Sequence, residues 1–379
     1  MFKQIKIMLC AGEISGDLQA SHLVKALFEK NSSINIFGLG GEKCKNAGMN
    51  VLLDLTSFNT VGILESLQYL SKYQKALKKV NEILDREKPN LLILVDNQGF
   101  NLNIAKLAKK KNIPILYYFA PQIWIWGEWN GIKIAKLITQ FAAVYKKEFE
   151  IYKKVGANVS FIGHPLLDTT NLKLDKENFL KKFDLDPNIP IIGLFPGSRF
   201  QEIKNLLPVI IESAIKIKNK IKSQFVLSVS SSVFEKEIIE KIKNNNANFI
   251  KIISGYSYDV MNNSSLIITS SGTTTLEASY FKTPQIVIYK ISALTYYIAK
   301  LLVKYPFVSL PNILAEKEIV PELLQKKVNS KNITELSLKI LNDINYTSNM
   351  KINLEKVINN LGSNGALERL VKIIFEMIK

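Results

Sequence analysis

The sequence has few of the residues that build metal centres and disulfide bonds. It contains two cysteines and two histidines among 379 residues. Cys10 and Cys44 form no CxxC pair, and no group of His, Cys and Asp has the spacing of a metal site. We therefore expect reduced, buried thiols, no disulfide and no metal ion.

Long apolar runs are also missing. No stretch reaches the roughly 18 residues that a membrane-spanning helix needs. The opening MFKQIKIMLCAGE meets Gly12 and Glu13 before a signal-peptide core could finish. The chain is therefore expected to stay in the cytoplasm. Its 379 residues exceed the size of a single core, about 250 to 300 residues, so two domains are expected.

Acidic residues are in the minority, with 33 Asp and Glu against 50 Lys and Arg and a net charge of +17. This balance suits a partner such as nucleic acid, an anionic lipid surface or a phosphorylated substrate. A general bias towards Lys, Asn and Ile explains it equally well. Nucleic-acid binding would require aromatic residues interleaved with Arg and Lys on one face, and the lysines here are scattered, which disfavours that partner.

What the sequence does contain is a repeated alternation of apolar strand-like runs, turn signals and helical patterns. Such alternation predicts an α/β fold of parallel sheets wrapped by helices. It starts twice, on either side of a polar stretch from Asp168 to Pro190 that we predict to be a linker, so two Rossmann-like units are expected in tandem. The predicted strands are Ile5 to Leu9, Ile34 to Gly38, Leu91 to Val95, Ile113 to Tyr118, Gln140 to Val144 and Val159 to Ile162, then Ile191 to Phe195, Phe225 to Val229, Phe249 to Ile253, Leu266 to Thr269 and Gln285 to Tyr289.

The first loop that could carry chemistry is CAGEISGD, residues 10–17, because ligands of open α/β sheets bind beyond the carboxyl ends of the strands. Gly16 allows a ligand to approach the backbone closely, and Ser15 or Asp17 could cap a helix that starts near Leu18. Glu13 suits the binding of hydroxyl groups better than that of phosphate. A capping or turn role for Glu13 is an equally good explanation.

A second carboxylate, Asp96, stands at the end of the apolar run LLILV, where it could accept a proton from a substrate hydroxyl. A cap or turn role is the alternative. The common nucleotide fingerprints are absent. GLGGEK has Lys43 where GxGxxG requires its third glycine, and no loop carries the lysine of a Walker motif. These absences disfavour a nicotinamide enzyme and a kinase, and they favour group transfer from a nucleotide-activated donor.

In the second half, LFPGSR joins a predicted strand to a helix that starts near Gln201. Gly197, Ser198 and Arg199 would surround a diphosphate with backbone N–H groups and a guanidinium. The alternative is a surface salt bridge between Arg199 and Glu202.

SSGTTTLE forms a second turn of the same kind, with Ser271, Gly272 and Thr273 at the start of a helix. Glu277 could accept the hydroxyls of a ribose from this helix. A purely structural capping box between Thr274 and Glu277 is the alternative, since the two residues have the required spacing.

The stretch ILESLQYLSKYQKALKKV, residues 63–80, has leucines at helical spacing with lysines beside them. Such a helix could lie in a membrane surface or pack on its own sheet. The membrane-facing candidates are Leu64, Leu67, Leu70, Lys72 and Lys75.

From the first strand to about residue 325 the chain resembles bacterial lipid-A-disaccharide synthases, a family of two-domain GT-B glycosyltransferases. The resemblance rests on the order and spacing of several motifs. They are AGEISGD near the start, NTVGILESL at 59–67, VDNQGFN at 95–101, APQIWIW at 120–126, FIGHPLLD at 161–168, LFPGSR at 194–199, SSGTTTLE at 270–277 and VSLPNILAEKEIVPELLQ at 308–325.

The resemblance implies two Rossmann-like domains facing each other across a cleft. Residues 1–168 would form the acceptor- and membrane-facing domain and residues 169–365 the UDP-sugar-binding domain. Residues 366–379 would be a helix that can cross back to the N-terminal domain. The implied reaction joins UDP-2,3-diacylglucosamine to 2,3-diacylglucosamine 1-phosphate, gives a β-1,6-linked disaccharide 1-phosphate and UDP, and needs no cofactor.

The resemblance also implies roles for individual residues. Asp96 would be the general base on the 6-hydroxyl of the acceptor, and Glu13 would orient sugar hydroxyls beside it. Arg199 would bind the diphosphate of the donor. The remaining residues implied to line these loops or hold the nucleotide are Ser15, Gly16, Gly197, Ser198, Ser271, Gly272, Thr273, Glu277, Asn312 and Gln325.

Two positions depart from the family pattern. Gly99 stands where many members have a second aspartate, and the tryptophan motif continues as GEWN where members usually have arginines. An acceptor phosphate contact would then fall to other basic residues.

The acyl-chain substrates favour peripheral association with the anionic inner face of the inner membrane. The resemblance allows a homodimer. The alternatives are another UDP-sugar enzyme of this fold, such as a UDP-N-acetylglucosamine 2-epimerase, or a transferase to a different lipid acceptor.

Overall fold

The computed structural model describes residues 4–55, 70–123, 130–229, 232–292, 296 and 306–378. These residues form two compact units. The first takes its described residues from positions 4–169 and 360–378, and the second from positions 170–292, 296 and 306–359. Each unit is built around its own sheet.

The first unit contains a seven-stranded parallel sheet. Its strands are β1 (Lys6–Ala11), β2 (Asn35–Leu39), β3 (Asn50–Leu53), β4 (Leu91–Val95), β5 (Ile115–Tyr118), β6 (Gln140–Ala143) and β7 (Val159–Phe161). Their order across the sheet is β3-β2-β1-β4-β5-β6-β7. The described helices before the chain leaves this unit are α1 (Ile14–Lys30), α2 (Glu42–Asn46), α3 (Leu70–Glu87), α4 (Gln98–Lys110), α5 (Gly131–Ala135), α6 (Lys146–Lys154) and α7 (Leu166–Thr169).

The second unit contains a six-stranded parallel sheet. Its strands are β8 (Ile191–Phe195), β9 (Gln224–Val229), β10 (Ile250–Ser254), β11 (Leu266–Ser270), β12 (Gln285–Tyr289) and β13 (Glu322–Leu324), in the order β10-β9-β8-β11-β12-β13. Its described helices are α8 (Lys176–Lys182), α9 (Phe200–Lys218), α10 (Glu235–Asn244), α11 (Ser257–Asn263), α12 (Thr273–Tyr280), α13 (Leu310–Ala315), α14 (Ser330–Asn342) and α15 (Ile344–Asn359).

The central strands are apolar along their whole length because helices cover both faces of each sheet. All five residues of Leu91–Val95 are buried, as are all five of Ile191–Phe195. Continuous burial of this kind is typical of parallel sheets. Two strands follow a different pattern and were not predicted: Asn50–Leu53 is only partly buried, and Glu322–Leu324 has three residues and begins with a carboxylate.

The predicted linker from Asp168 to Pro190 is wrong for most of its length. Within it, α8 carries Phe179, which is fully buried in the core of the second unit together with Leu185. Asp259 fixes the approach to this helix, since its Oδ1 accepts the N–H groups of Lys173 at 3.0 Å and Leu174 at 2.8 Å. Lysines and aspartates between the apolar residues gave this segment its polar composition.

The last described helix, α16 (Ala366–Met377), packs within the first unit against α1 and α7. Asp168 accepts the N–H groups of Gly365 at 2.6 Å and Leu367 at 2.9 Å, and thereby caps this helix. The guanidinium of Arg369 donates to the carbonyl of Ile162 at 2.8 Å, and it also donates to two carbonyls just before the helix. The end of the FIGHPLLD motif therefore holds the C-terminal segment.

No helix within the described ranges combines the length and the apolar content needed to cross a bilayer.

Candidate active site

The AGEISGD loop opens directly into the first helix. Helix α1 begins at Ile14, with Glu13 at its N-cap, and so starts earlier than the expected position near Leu18. Asp17 does not cap this helix. Its carboxylate instead accepts the N–H groups of Gly41 at 2.7 Å, Lys43 at 3.0 Å and Cys44 at 3.2 Å, at the start of α2. Asp17 therefore joins the first two helices. Since α1 begins at Ile14, Ser15 and Gly16 lie in its first turn.

The structure brings Ser15, Gly16 and Asp96 together. The hydroxyl of Ser15 donates to Asp96 Oδ2 at 3.1 Å, and both side chains are half-buried. A Cβ added at Gly16 would lie 3.4 Å from Asp96 Cβ. Gly16 thus permits the close approach of α1 to the end of β4, and Ser15 orients one carboxylate oxygen.

Glu13 lies in the same part of the first unit. Burial raises the pKa of Tyr117 well above its usual value, and the nearby charges of Asp96 and Glu13 raise it further. The two carboxylates therefore approach the same phenol. Glu13 and Asp96 each make further hydrogen-bonding or electrostatic interactions.

Sequence reasoning missed two residues beneath Asp96. Tyr117 Oη and Asn101 Nδ2 each donate to the backbone carbonyl of Asp96 at 2.8 Å. Asn101 is the last residue of the VDNQGFN motif, which was a usable signal, and Tyr117 lies one residue before the end of β5. The sequence analysis placed Tyr117 only within the predicted strand Ile113 to Tyr118 and assigned it no role.

In the second unit, Arg199 is the N-cap residue of α9 and pairs with Glu202. Arg199 Nη1 lies 3.0 Å from Glu202 Oε1, while Glu202 Oε2 accepts the N–H of Ser198 at 3.0 Å. Gly197 has φ +114, and a Cβ there would overlap the Glu202 carboxylate. The salt bridge that the sequence left as an alternative is thus present, and Glu202 takes a backbone N–H that was expected to face phosphate.

Tyr289, at the end of β12, lies beside this pair. Its pKa is raised first by burial and then by the charge of Glu202, while the charge of Arg199 lowers it. The PGSR turn and the end of β12 therefore lie close together within the second unit.

The SSGTTTLE segment starts α12 at Thr273, with Gly272 at the N-cap. Glu277 is therefore the fifth residue of the helix, and the capping box between Thr274 and Glu277 does not form. The carboxylate of Glu277 instead bonds with the hydroxyl of Tyr258, whose pKa is raised by burial and by Glu277. Ser271 Oγ donates to the carbonyl of Val308 at 2.7 Å, which ties this turn to the loop before α13.

Asn312 is fully buried and all its hydrogen-bonding positions are filled by protein. Its Nδ2 donates to Val320 O at 2.9 Å and Glu322 Oε1 at 2.8 Å, and its Oδ1 accepts from Ile319 N at 2.7 Å and Val320 N at 3.0 Å. The implied role of Asn312 as a direct nucleotide contact does not fit this geometry. Its side chain holds the segment that leads into β13.

Gln325 follows β13 and has a left-handed backbone, with φ +54. Its Nε2 is buried and has no hydrogen-bond partner in the part of the chain that the structure describes. A buried amide donor without a hydrogen bond is costly to stability.

Of the predicted membrane-facing residues, Leu64 and Leu67 lie outside the described residues, and Leu70 begins α3. Lys72 and Lys75 are exposed on this helix. The opposite side of α3 is buried in the core of its own unit through Ala76, Val80, Ile83 and Leu84. The described part of the helix therefore packs on its sheet and presents lysines outwards.

His164 has a structural role at the end of the first unit. Its Nδ1 accepts the N–H of Leu166 at 3.1 Å, and its Nε2 lies 3.4 Å from the hydroxyl of Tyr145. Burial lowers its pKa from 6.5 to about 3, so the ring is neutral at physiological pH. In the described residues no three His, Cys, Asp or Glu side chains are placed to hold a metal ion.

Comparison with known proteins identifies the family. The family model described as lipid-A-disaccharide synthetase matches residues 7–373. This chain belongs to the lipid-A-disaccharide synthase family. It is 36% identical over 374 residues to the lipid-A-disaccharide synthase of Geobacter metallireducens, covering 98% of this chain and 97% of the relative. The corresponding protein of Persephonella marina is also 36% identical, over 380 residues, covering 98% of this chain and 99% of the relative.

Solved structures of low sequence identity show the same fold. A UDP-GlcNAc 2-epimerase from Neisseria meningitidis bound to UDP-GlcNAc has a TM-score of 0.68 at 14% identity and covers 98% of this chain and 100% of its own. A glycosyltransferase from Rickettsia africae has a TM-score of 0.57 at 16% identity, with 100% of both chains covered. Family membership makes this chain a glycosyltransferase with two Rossmann-like units.

Proposed function

We propose that this chain transfers 2,3-diacylglucosamine from UDP-2,3-diacylglucosamine to the 6-hydroxyl of 2,3-diacylglucosamine 1-phosphate. The products are the β-1,6-linked disaccharide 1-phosphate and UDP. The observation that carries this proposal is the family match over residues 7–373, together with 36% identity to a lipid-A-disaccharide synthase across 98% of the chain.

In the proposed reaction Asp96 is the general base. Its half-buried carboxylate stands at the carboxyl end of β4, where the Ser15 hydroxyl orients it through a hydrogen bond to Oδ2 at 3.1 Å. The acceptor oxygen bonds to C1 of the donor sugar as its proton passes to Asp96. The bond from C1 to the diphosphate breaks, and UDP leaves with the electron pair. One displacement with one base gives inversion at C1.

Arg199 and the N-terminus of α9 would stabilise the departing diphosphate. A guanidinium beside a helix N-terminus offers charge and N–H groups where negative charge grows in the transition state. Glu202 supports this role because its ion pair with Arg199, at 3.0 Å, holds the guanidinium at the start of the helix. The turn of Ser271, Gly272 and Thr273 and the unsatisfied Nε2 of Gln325 would bind other parts of the nucleotide.

The direct test is to incubate the purified protein with UDP-2,3-diacylglucosamine, with and without 2,3-diacylglucosamine 1-phosphate. A disaccharide 1-phosphate seen by mass spectrometry only when both substrates are present supports the proposal. A sugar nucleotide of unchanged mass but altered stereochemistry would indicate an epimerase. UDP release with a different lipid would indicate another acceptor.

We also propose that the protein binds the surface of an anionic membrane. The net charge of +17, the exposed Lys72 and Lys75 on α3 and the acyl chains of the proposed substrates support this. Sedimentation with vesicles containing phosphatidylglycerol, at low and high salt, tests it. Binding that is equal for neutral and anionic vesicles would contradict an electrostatic contribution. Light scattering on the same preparation would show whether a homodimer forms.

A further inference from the structure

We propose that Tyr117 and Asn101 are positioning residues for the carboxylate of Asp96. Their hydrogen bonds to the carbonyl oxygen of Asp96 hold a left-handed backbone that aims this side chain. The inference rests on the proposed function, in which Asp96 is the base. It concerns residues that touch neither the reacting atoms nor the nucleotide.

The backbone at the end of β4 is strained. Asp96 has φ +54 and Asn97 has φ +43, so two consecutive residues other than glycine adopt the left-handed conformation. A residue in this conformation persists only where its surroundings enforce it. Without that enforcement the turn would relax, and the direction of the Asp96 side chain would change with it.

Two buried hydrogen-bond donors hold the turn at Asp96 and Asn97 in place. Tyr117 Oη and Asn101 Nδ2 both lie 2.8 Å from the carbonyl oxygen of Asp96. Tyr117 is 0% exposed and Asn101 is 1% exposed, so water does not compete for these bonds. Because burial raises the pKa of Tyr117 well above its usual value, the phenol stays neutral and keeps its proton throughout the working pH range.

The side chain of Asn101 makes hydrogen bonds through its Nδ2 group but, among the described residues, none through its oxygen. Its Nδ2 also faces the carbonyls of Val95 at 3.1 Å and Cys10 at 3.4 Å. Its Oδ1 is buried without a partner in the described part of the chain. An unmet buried acceptor destabilises a fold. Asn101 therefore ties together the ends of β1 and β4 at the same point where it donates to Asp96.

The CAGEISGD loop, residues 10–17, also packs against the turn at Asp96 and Asn97. A Cβ at Gly12 would overlap the side-chain amide of Asn97, and a Cβ at Gly16 would lie 3.4 Å from both Asp96 Cβ and Val95 O. Ser15 then fixes Oδ2 of the carboxylate. The glycine backbone of the first loop and two buried donors thus confine the turn, and Ser15 orients the carboxylate.

The test is Tyr117→Phe, which removes one hydroxyl and keeps the ring. We expect kcat to fall about ten- to a hundredfold, since small misplacements of a catalytic group have effects of this size. KM for both substrates should change less than about twofold, because Tyr117 binds neither. The loss should be the same at every pH of the profile, because Tyr117 does not titrate in that range.

Tyr118→Phe is the matched control. Tyr118 is the next residue of the same strand, is also 0% exposed, and its hydroxyl has no partner among the described residues. We expect its kcat to stay within about twofold of the unmodified protein. A fall in kcat for Tyr118→Phe equal to that of Tyr117→Phe would show a general packing effect and would overturn the proposal.

Asn101→Leu adds a double-mutant cycle. Because both side chains donate to one oxygen atom, the effects of Tyr117→Phe and Asn101→Leu on kcat should be strongly non-additive. Additive effects, or a Tyr117→Phe variant with unchanged kcat, would overturn the inference. An unmodified protein that makes no disaccharide would instead refute the proposed function. If Asn101→Leu does not fold, the comparison of Tyr117→Phe with Tyr118→Phe decides alone.

Discussion

Arg199 and Glu202 form an ion pair across the first turn of α9, with Arg199 Nη1 3.0 Å from Glu202 Oε1. The same carboxylate accepts the N–H of Ser198 at 3.0 Å, so one buried acid organises both the guanidinium and the turn before the helix. The ion pair holds the guanidinium at the start of α9, where the proposed contact with the diphosphate would form.

The first prediction concerns this pair. Arg199→Ala should lower kcat/KM for the UDP-sugar by about a hundred- to a thousandfold, the usual effect of removing a donor to developing charge. Glu202→Gln should have a smaller effect, about tenfold, because the amide can still accept from Ser198 but no longer holds Arg199 by charge. Steady-state kinetics with varied donor measures both.

Lys216→Ala provides the control on the same helix, since Lys216 forms an exposed pair with Glu212 at 2.8 Å. Its kinetics should be unchanged. Near-normal activity of Arg199→Ala would show that the diphosphate is bound elsewhere.

The second prediction is that Asp96→Asn lowers kcat by about a hundred- to ten-thousandfold, because the amide can still accept from Ser15 but cannot take a proton. Thermal stability should be close to that of the unmodified protein. Asp175→Asn is the control: Asp175 caps α8 through the N–H of Asn178 at 2.9 Å, a role that asparagine also performs. Equal activities of the two variants would remove Asp96 from the chemistry.

The third prediction concerns stability at low pH. The folded pKa of His164, about 3, lies below its ordinary value of 6.5. Between these values the unfolded chain binds a proton that the native chain does not, so stability rises with pH across this window and is lost on acidification. The contribution of His164 amounts to about 2 kcal/mol between pH 7 and pH 5.

His164→Asn keeps an acceptor for the N–H of Leu166 but has no proton to gain. Its melting temperature should therefore depend less on pH between pH 7 and pH 5 than that of the unmodified protein. The difference in melting temperature at pH 7.5 separately measures the lost ring packing. Parallel pH curves for the two proteins would contradict the buried neutral histidine.

The fourth prediction assigns Asn312 to stability. Asn312→Ala leaves the backbone N–H groups of Ile319 and Val320 and the carbonyl of Val320 without this partner, removes one of the hydrogen bonds to Glu322, and should destabilise the protein by about 2–4 kcal/mol. Urea unfolding followed by circular dichroism measures this. Asn245→Ala removes an exposed amide that donates to Lys241 O at 2.8 Å and should change stability by less than about 0.5 kcal/mol. An Asn312→Ala variant of normal stability but weak UDP binding would restore a direct nucleotide role.

The central strands were predictable because burial on both faces leaves a continuous apolar run. Leu91–Val95, Ile191–Phe195 and Gln285–Tyr289 have the predicted bounds. Glu322–Leu324 was not predictable, since its position depends on its pairing with β12 and on the hydrogen bonds that Glu322 accepts from Ser309 and Asn312. Such contacts join residues ten or more positions apart and leave no local pattern.

The roles of the candidate site residues stay predictions, but the loops that carry them could be located from the sequence. Loops at strand ends pointed to Asp96 and Arg199, because parallel strands collect their carboxyl ends at one edge. The partners of these residues were harder to predict. Tyr117 was placed only within a predicted strand, and Glu202 appeared only as an alternative partner for Arg199. Which of two hydrogen bonds a side chain makes is decided by the packed fold.

The attachment of Ala366–Met377 to the first unit affects the order of folding during synthesis. The seven-stranded unit lacks the helix that lies on α1 until residues 360–378 have left the ribosome, while the intervening second unit is already complete. The first domain to be translated is therefore the last to finish. Until then Asp168 has no helix to cap, and the face of α1 that this helix covers stays exposed on the nascent chain.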